Sequence, residues 1–222
     1  MIQSKPVVAV DICGTLYRTN TTAGMIAHHH MRVGNKLRAQ LLTLLTKRRH
    51  PVQFALVAIA RLTGRDMHRA LVLWTLKGED CDHVDASARD YVATCLPELA
   101  INATHTRLAV MQDAGWAPVL ISNAIDPVVR AIASHLGLPA LSSQLGRRDA
   151  VFTGELEQDL TGKKRAALEA YLGHSLCPDS FTVMTDNRSD RDLVGAAQTA
   201  ILVARGAPRK WMGEWDAEIL CH

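Results

Sequence analysis

Four short, uninterrupted apolar runs set the limits on how this chain can fold: 6–10 (PVVAV), 117–121 (APVLI), 181–184 (FTVM) and 200–203 (AILV). Aliphatic runs this short, without polar alternation, suit strands covered on both faces, as in a parallel sheet. Helical patterns lie between the later runs, over 127–136, 163–172 and 190–197. Strands alternating with helices predict an α/β fold: a doubly wound parallel sheet with helices on both faces. The segment 150–156 (AVFTGEL) alternates and contains Gly154, which predicts a small hairpin or an edge strand.

The rhythm breaks between the first run and the second. Residues 23–114 contain almost nothing strand-like. Leu37, Leu41, Leu42, Leu44 and Leu45 share one broad helical face, Lys47, Arg48 and Arg49 follow, and Pro51 ends the pattern. Further helices are predicted over 52–63, 65–76, 84–95 and 100–114, with Gly115 stopping the last. The expected division is a core of 1–17 with 101–222 and an α-helical insertion of 18–100. The tail beyond Gly206, with Pro208, Trp211 and Trp215, is expected to pack across the core.

Charge follows the same division. Residues 18–77 carry 11 basic residues and one acid, Asp66, for a charge of +10, while the rest of the chain carries −7. The overall +3 and the 48% hydrophobic content are ordinary for a globular protein and exclude a disordered one. No signal-peptide pattern opens the chain, and the apolar stretch 52–60 is cut by Arg61, too short to span a bilayer. Five cysteines (13, 81, 95, 177 and 221), without metal or redox spacing, read as reduced thiols in a cytoplasmic protein.

Ligands of open α/β sheets bind beyond the carboxyl ends of the strands, so the residues there matter most. The first run ends in Asp11-Ile12-Cys13-Gly14-Thr15, placing a carboxylate at a sheet edge; a turn-capping aspartate is the plainer reading. The second ends in Ser122-Asn123, which could bind an oxyanion or simply cap the helix from Pro127. Lys163 and Lys164 follow Gly162, either as phosphate-neutralising groups or as a surface pair. The run 181–184 leads into Thr185-Asp186 and then Asp190. Two carboxylates four residues apart at a sheet edge call for a cation, although an acidic helix N-terminus has the same composition. Mg²⁺ takes hard oxygen ligands of this kind.

These four motifs, in this order, resemble the haloacid dehalogenase superfamily, and the insertion after the first resembles the cap of its phosphoserine-phosphatase-like branch. The resemblance implies a phosphate-monoester hydrolase with Asp11 as nucleophile. Thr15 would position the reacting groups, Ser122 and Asn123 would hold phosphoryl oxygens, and Lys164 (or Lys163) would stabilise developing charge. Mg²⁺ would be held by Asp11, the Cys13 carbonyl, Asp186 and Asp190.

Cys13 departs from the pattern. Phosphatases of this superfamily carry there a second aspartate that protonates the leaving group and then activates water. A thiol with a pKa of about 8.5 is a poor oxygen base. The alternatives are a non-catalytic or feebly active binding domain, or carbon–phosphorus or phosphotransfer chemistry; the resemblance implies that carbon–phosphorus cleavage would need a Schiff-base lysine from the insertion, for which Lys36, Lys47 and Lys77 are candidates. Dehalogenation fits badly with a full set of metal-site acids. The basic insertion reads as a solvated face, as an attractor of a small anionic phosphorylated substrate, or as a contact with an anionic membrane surface. Nucleic acid is disfavoured, because Phe54, Trp74 and Tyr91 form no stacking pattern. His28, His29 and His30 point in different directions on a helix, and read as polar surface or cap residues rather than a metal triad.

Overall fold

The computed structural model describes residues 5–46 and 66–222. The helix predicted over 52–63, the Pro51 break, the Lys47–Arg48–Arg49 cluster and the apolar stretch 52–60 lie outside the described residues. Seven strands form one sheet: β1 (Val7–Val10), β2 (Ala117–Ile125), β3 (Ala140–Arg148), β4 (Val151–Gln158), β5 (Phe181–Thr185), β6 (Thr199–Ala204) and β7 (Ala217–Cys221). Their spatial order is β4-β3-β2-β1-β5-β6-β7. Every neighbouring pair is parallel except β3–β4.

The two-residue period of the strands divides the core between the two faces of the sheet. Val8, Val10, Leu120, Met184, Ile201 and Val203 share one apolar cluster with residues of the helices α5 (Asn102–Asp113) and α6 (Asp126–Leu136). Ala9, Val119, Ile121, Val183 and Leu202 point the other way, to α7 (Lys164–Leu172), α8 (Arg191–Val194) and the tail residues Trp211 and Met212. Both faces are therefore covered, as the unbroken apolar runs require.

Four described helices stand between β1 and α5: α1 (Thr21–Arg32), α2 (Lys36–Thr46), α3 (Met67–Trp74) and α4 (Cys81–Thr94). Side-chain caps start all four: Asn20 accepts from Ala23 N, Asn35 from Arg38 N, Asp66 from Arg69 N and Asp80 from His83 N, at 2.9–3.3 Å. Helix α4 packs on α6, and Arg130 pairs with Asp85 across them at 2.8 Å. His29 and His30, expected as polar surface positions, are both fully buried.

Three other expectations change. The segment 150–156 does form an edge strand, but its partner β3 has a polar, glycine-containing sequence that carries no strand pattern. Asp149 (φ 49°) and Ala150 (φ 64°) join them in a two-residue turn with both φ positive, the hairpin geometry that matches strand twist. The tail adds a seventh strand, β7, whose AEILC sequence is too short and mixed to stand out. The helix expected over 190–197 is one turn of α-helix after a 3₁₀ turn, Arg188–Asp190.

Candidate active site

β1 lies at the centre, with β2 on one side and β5 on the other, and Val10 sits opposite both Leu120 and Met184. The residues just beyond these three positions therefore meet at one edge of the sheet. A cavity of about 350 Å³ opens there, lined by Asp11, Cys13, Ser122, Asn123 and Lys164 among others. This volume suits a small molecule.

Lys164 joins the acids. Its Nζ donates to Asp11 Oδ1 at 3.0 Å and to Asp190 Oδ2 at 2.8 Å, and all three side chains are buried. Lys163 is exposed and takes no part in this arrangement. Burial opposes the Lys164 charge, but Asp11 and Asp190 outweigh it and raise its pKa, so the ammonium persists. Burial also raises the Asp11 carboxyl; Lys164 opposes that shift and the Asp190 charge adds to it. Asp190 occupies an N-cap position without capping. Its carboxylate instead accepts from Lys164 and, at 2.8 Å, from Thr185 Oγ1.

Asp186 faces β1 from the other side. Its backbone N–H donates to Thr15 Oγ1 at 2.9 Å, so Thr15 fixes the loop that carries Asp186. Gly14 (φ +79°) passes so close that a Cβ there would fall 2.5 Å from Asp186 Oδ2. Burial, then the Asp11 charge, pushes the Asp186 carboxyl up to about 6, while Arg209 from the tail lies 3.7 Å away and opposes the shift. Three carboxylates thus share one buried ammonium and one outlying guanidinium. Three carboxylates in negative excess, with Asp186 packed against Gly14, suit the hard-oxygen shell that Mg²⁺ prefers.

Ser122 and Asn123 lie within β2, which runs on to Ile125 and shifts register against β3 between Ser122 and Ile125. They do not cap α6, whose N-cap, Ile125, makes no side-chain bond. Ser122 Oγ accepts from Ala124 N at 3.3 Å, and Asn123 Oδ1 is buried with no partner among the described residues. Cys13 Sγ sits 3.0 Å from Thr21 Oγ1 and accepts from Thr21 N at 3.4 Å, at the start of α1. Burial, then the Asp11 charge, raises the thiol pKa and keeps it protonated.

The insertion contributes residues that spacing alone does not reveal. Asn20, Thr22, His68 and Arg69 also line the cavity. Arg69 donates to the Asn123 carbonyl at 2.5 Å, to Ser143 Oγ at 3.1 Å and to Asp159 and Thr161 at 2.9 Å, so it ties the insertion to the strand ends. Only its place in a basic segment marks it in the sequence. Lys36 and Lys77 are exposed and do not line the cavity, and Lys47 lies outside the described residues. All five cysteines are free thiols.

The sequence profile of haloacid dehalogenase-like hydrolases matches residues 8–194. A comparison with curated proteins finds no match. Among solved structures, a protein of unknown function from Bordetella pertussis Tohama I is similar over 97% of this chain and 99% of its own, with 16% identity and a TM-score of 0.76. An apo phosphoserine phosphatase is similar over 97% and 94%, with 15% identity and a TM-score of 0.61. A cytosolic 5'-nucleotidase IIIB bound to cytidine is similar over 96% and 79%, with 14% identity and a TM-score of 0.58.

Proposed function

Because the chain belongs to the haloacid dehalogenase-like hydrolase family, we propose that it hydrolyses a small phosphate monoester through a phosphoryl group carried on Asp11. The observation that carries this reading is the buried Asp11–Lys164–Asp190 chain, whose Asp11 and Lys164 line the cavity at the strand ends. Burying such charges has no stabilising purpose of its own, so their assembly speaks for chemistry.

An Asp11 carboxylate oxygen attacks phosphorus and the bond to the leaving oxygen breaks, giving an acyl phosphate and an alcohol. Water then attacks that phosphorus, the bond to Asp11 breaks, and phosphate leaves. Dividing one difficult displacement into two is the use of a carboxylate nucleophile. Lys164 holds Asp11 in place and offsets the charge that develops on the phosphoryl oxygens. Ser122 Oγ and the Asn123 side chain bind those oxygens, and Thr15 holds the Asp186 loop against β1. Asp11, Asp186, Asp190 and the Cys13 carbonyl would hold Mg²⁺; Asp190 also accepts from Lys164 and Thr185. When bound, the metal neutralises charge on the transferring phosphoryl group.

The neutral Cys13 thiol can give a proton to a leaving oxygen but is a poor base for water. Residues 18–100 act in this reading as a cap over the site, with Arg69 and His68 reaching into the cavity. Asp11→Asn is expected to abolish Mg²⁺-dependent release of nitrophenol from p-nitrophenyl phosphate, and unchanged turnover would remove Asp11 from the role of nucleophile.

A further inference from the structure

Three consecutive histidines on α1 go to two different places. His28 Nε2 meets Asp90 Oδ2 of α4 at 2.7 Å. His29 and His30 are wholly buried, their ring centroids 5.3 Å apart. Glu79, in the turn between α3 and α4, brings Oε2 to 3.2 Å from His29 Nε2. One nitrogen from each of these two histidines and one Glu79 oxygen all lie within 4.8 Å of one another.

The hydrogen bonding of this cluster is incomplete. Neither ring nitrogen of His30 has a hydrogen-bond partner among the described residues. The Thr75 carbonyl lies beside the ring but outside hydrogen-bond geometry. A buried imidazole left so is costly. His29 adds a second signal. Its Nδ1 meets Ser87 Oγ at 3.0 Å, leaving Nε2 as the nitrogen that faces Glu79 Oε2. A hydrogen bond to the far nitrogen that fixes the tautomer is the usual support of a metal-binding histidine. Ligands bound at about 2.0 Å around a tetrahedral ion stand about 3.3 Å apart, close to the 3.2 Å between His29 Nε2 and Glu79 Oε2.

We propose that His29, His30 and Glu79 bind one divalent transition-metal ion of the zinc class, inside the helical insertion and separate from the carboxylates at the strand ends. Two imidazoles and one carboxylate suit Zn²⁺ and its neighbours, whereas Mg²⁺ prefers an all-oxygen shell. Arg38 pairs with the other Glu79 oxygen, Oε1, and leaves Oε2 to the ion. The ion ties α1 to the turn before α4, and water completes its coordination.

The test uses the full-length chain, stripped with a chelator and kept in excess Mg²⁺ so that the strand-end carboxylates are occupied. Titration with Co²⁺ is expected to give one equivalent of a visible ligand-field band that Zn²⁺ displaces, and Zn²⁺ is expected to raise the Tm by about 5 °C. His30→Leu removes an unpartnered buried imidazole, so it is expected to fold while losing both signals. Glu79→Gln is expected to weaken binding at least tenfold. On the zinc-loaded wild type, X-ray absorption is expected to count two imidazoles, a result that does not depend on either variant folding. No cobalt band, binding undiminished in a folded His30→Leu, or fewer than two imidazoles overturns the proposal.

Discussion

Cys13 shows how much one side chain can matter at an otherwise complete site. Its thiol sits beside Asp11 and accepts from the first backbone N–H of α1. A carboxylate in its place would find the same N–H and the Thr21 hydroxyl as partners. Positioned general acid–base catalysis is worth about 10²–10⁴-fold, so Cys13→Asp should speed hydrolysis of alkyl phosphates at least tenfold. It should change little for p-nitrophenyl phosphate, whose leaving group needs no proton. Initial rates on the two substrate classes measure this, and no gain on the alkyl esters would mean that another group already supplies the proton. Asp11, Lys164, Asp186 and Asp190 were legible as residues, because each stands at or near the end of an apolar run or at the start of a helix after a glycine. Which lysine acts was not legible. Lys163 and Lys164 differ only in the face of α7 they occupy, and packing alone buries one and exposes the other.

At the scale of elements, legibility followed burial. The strands β1, β2, β5 and β6 are covered on both faces, so their sequences are continuously apolar and stand out. β3 and β7 are amphipathic or polar, and their pairing is decided by neighbours far along the chain. The β3–β4 turn also hides its conformation, because neither Asp149 nor Ala150 is a glycine although both have positive φ. An alanine in the left-handed region costs about 1–2 kcal/mol, partly offset by the chain entropy a glycine adds. The pair Asp149→Asn with Ala150→Gly is therefore expected to stabilise the protein by about 0.5–1 kcal/mol and raise the Tm by a few degrees. Thermal unfolding checks this, and a lower Tm would mean that the two side chains contribute contacts outweighing the strain. Gly154 is the converse case: at φ +80°, with Trp74 Cα 3.1 Å from where a Cβ would stand, it lets β4 lie close against the end of α3.

Across the whole molecule, the contrast between a basic insertion and an acidic core takes on a more specific meaning. Arg38 and Arg69 pair with Glu79 and Asp159, Arg69 also reaches the strand ends, and Arg18 and Arg32 donate to the backbone carbonyls of Glu98 and Ala86. They hold the insertion together and fasten it to the core. Among the described residues, Lys36 and Lys77 are exposed and stand free to attract anions from outside. Among the described residues, no helix is long and apolar enough to cross a membrane. If the insertion meets an anionic surface, the protein should sediment with phosphatidylserine vesicles at low salt and release at high salt, since exposed charge is screened within about 10 Å at 0.1 M. Absence of salt-sensitive sedimentation rules that reading out.

By itself, the sequence determined the class of fold, the place of the insertion and the acids at the strand ends. These are set by local apolar runs and by the residues next to them, and neither needs a distant partner to be recognised. The tertiary structure decided which of two lysines is buried between the acids, that Arg69 of the insertion reaches the strand ends, and that His29 and His30 close on Glu79 in the interior. Each of these joins residues about 50 or more positions apart, or depends on which face of a helix is covered. Such facts arise only when the elements pack, and no local pattern records them.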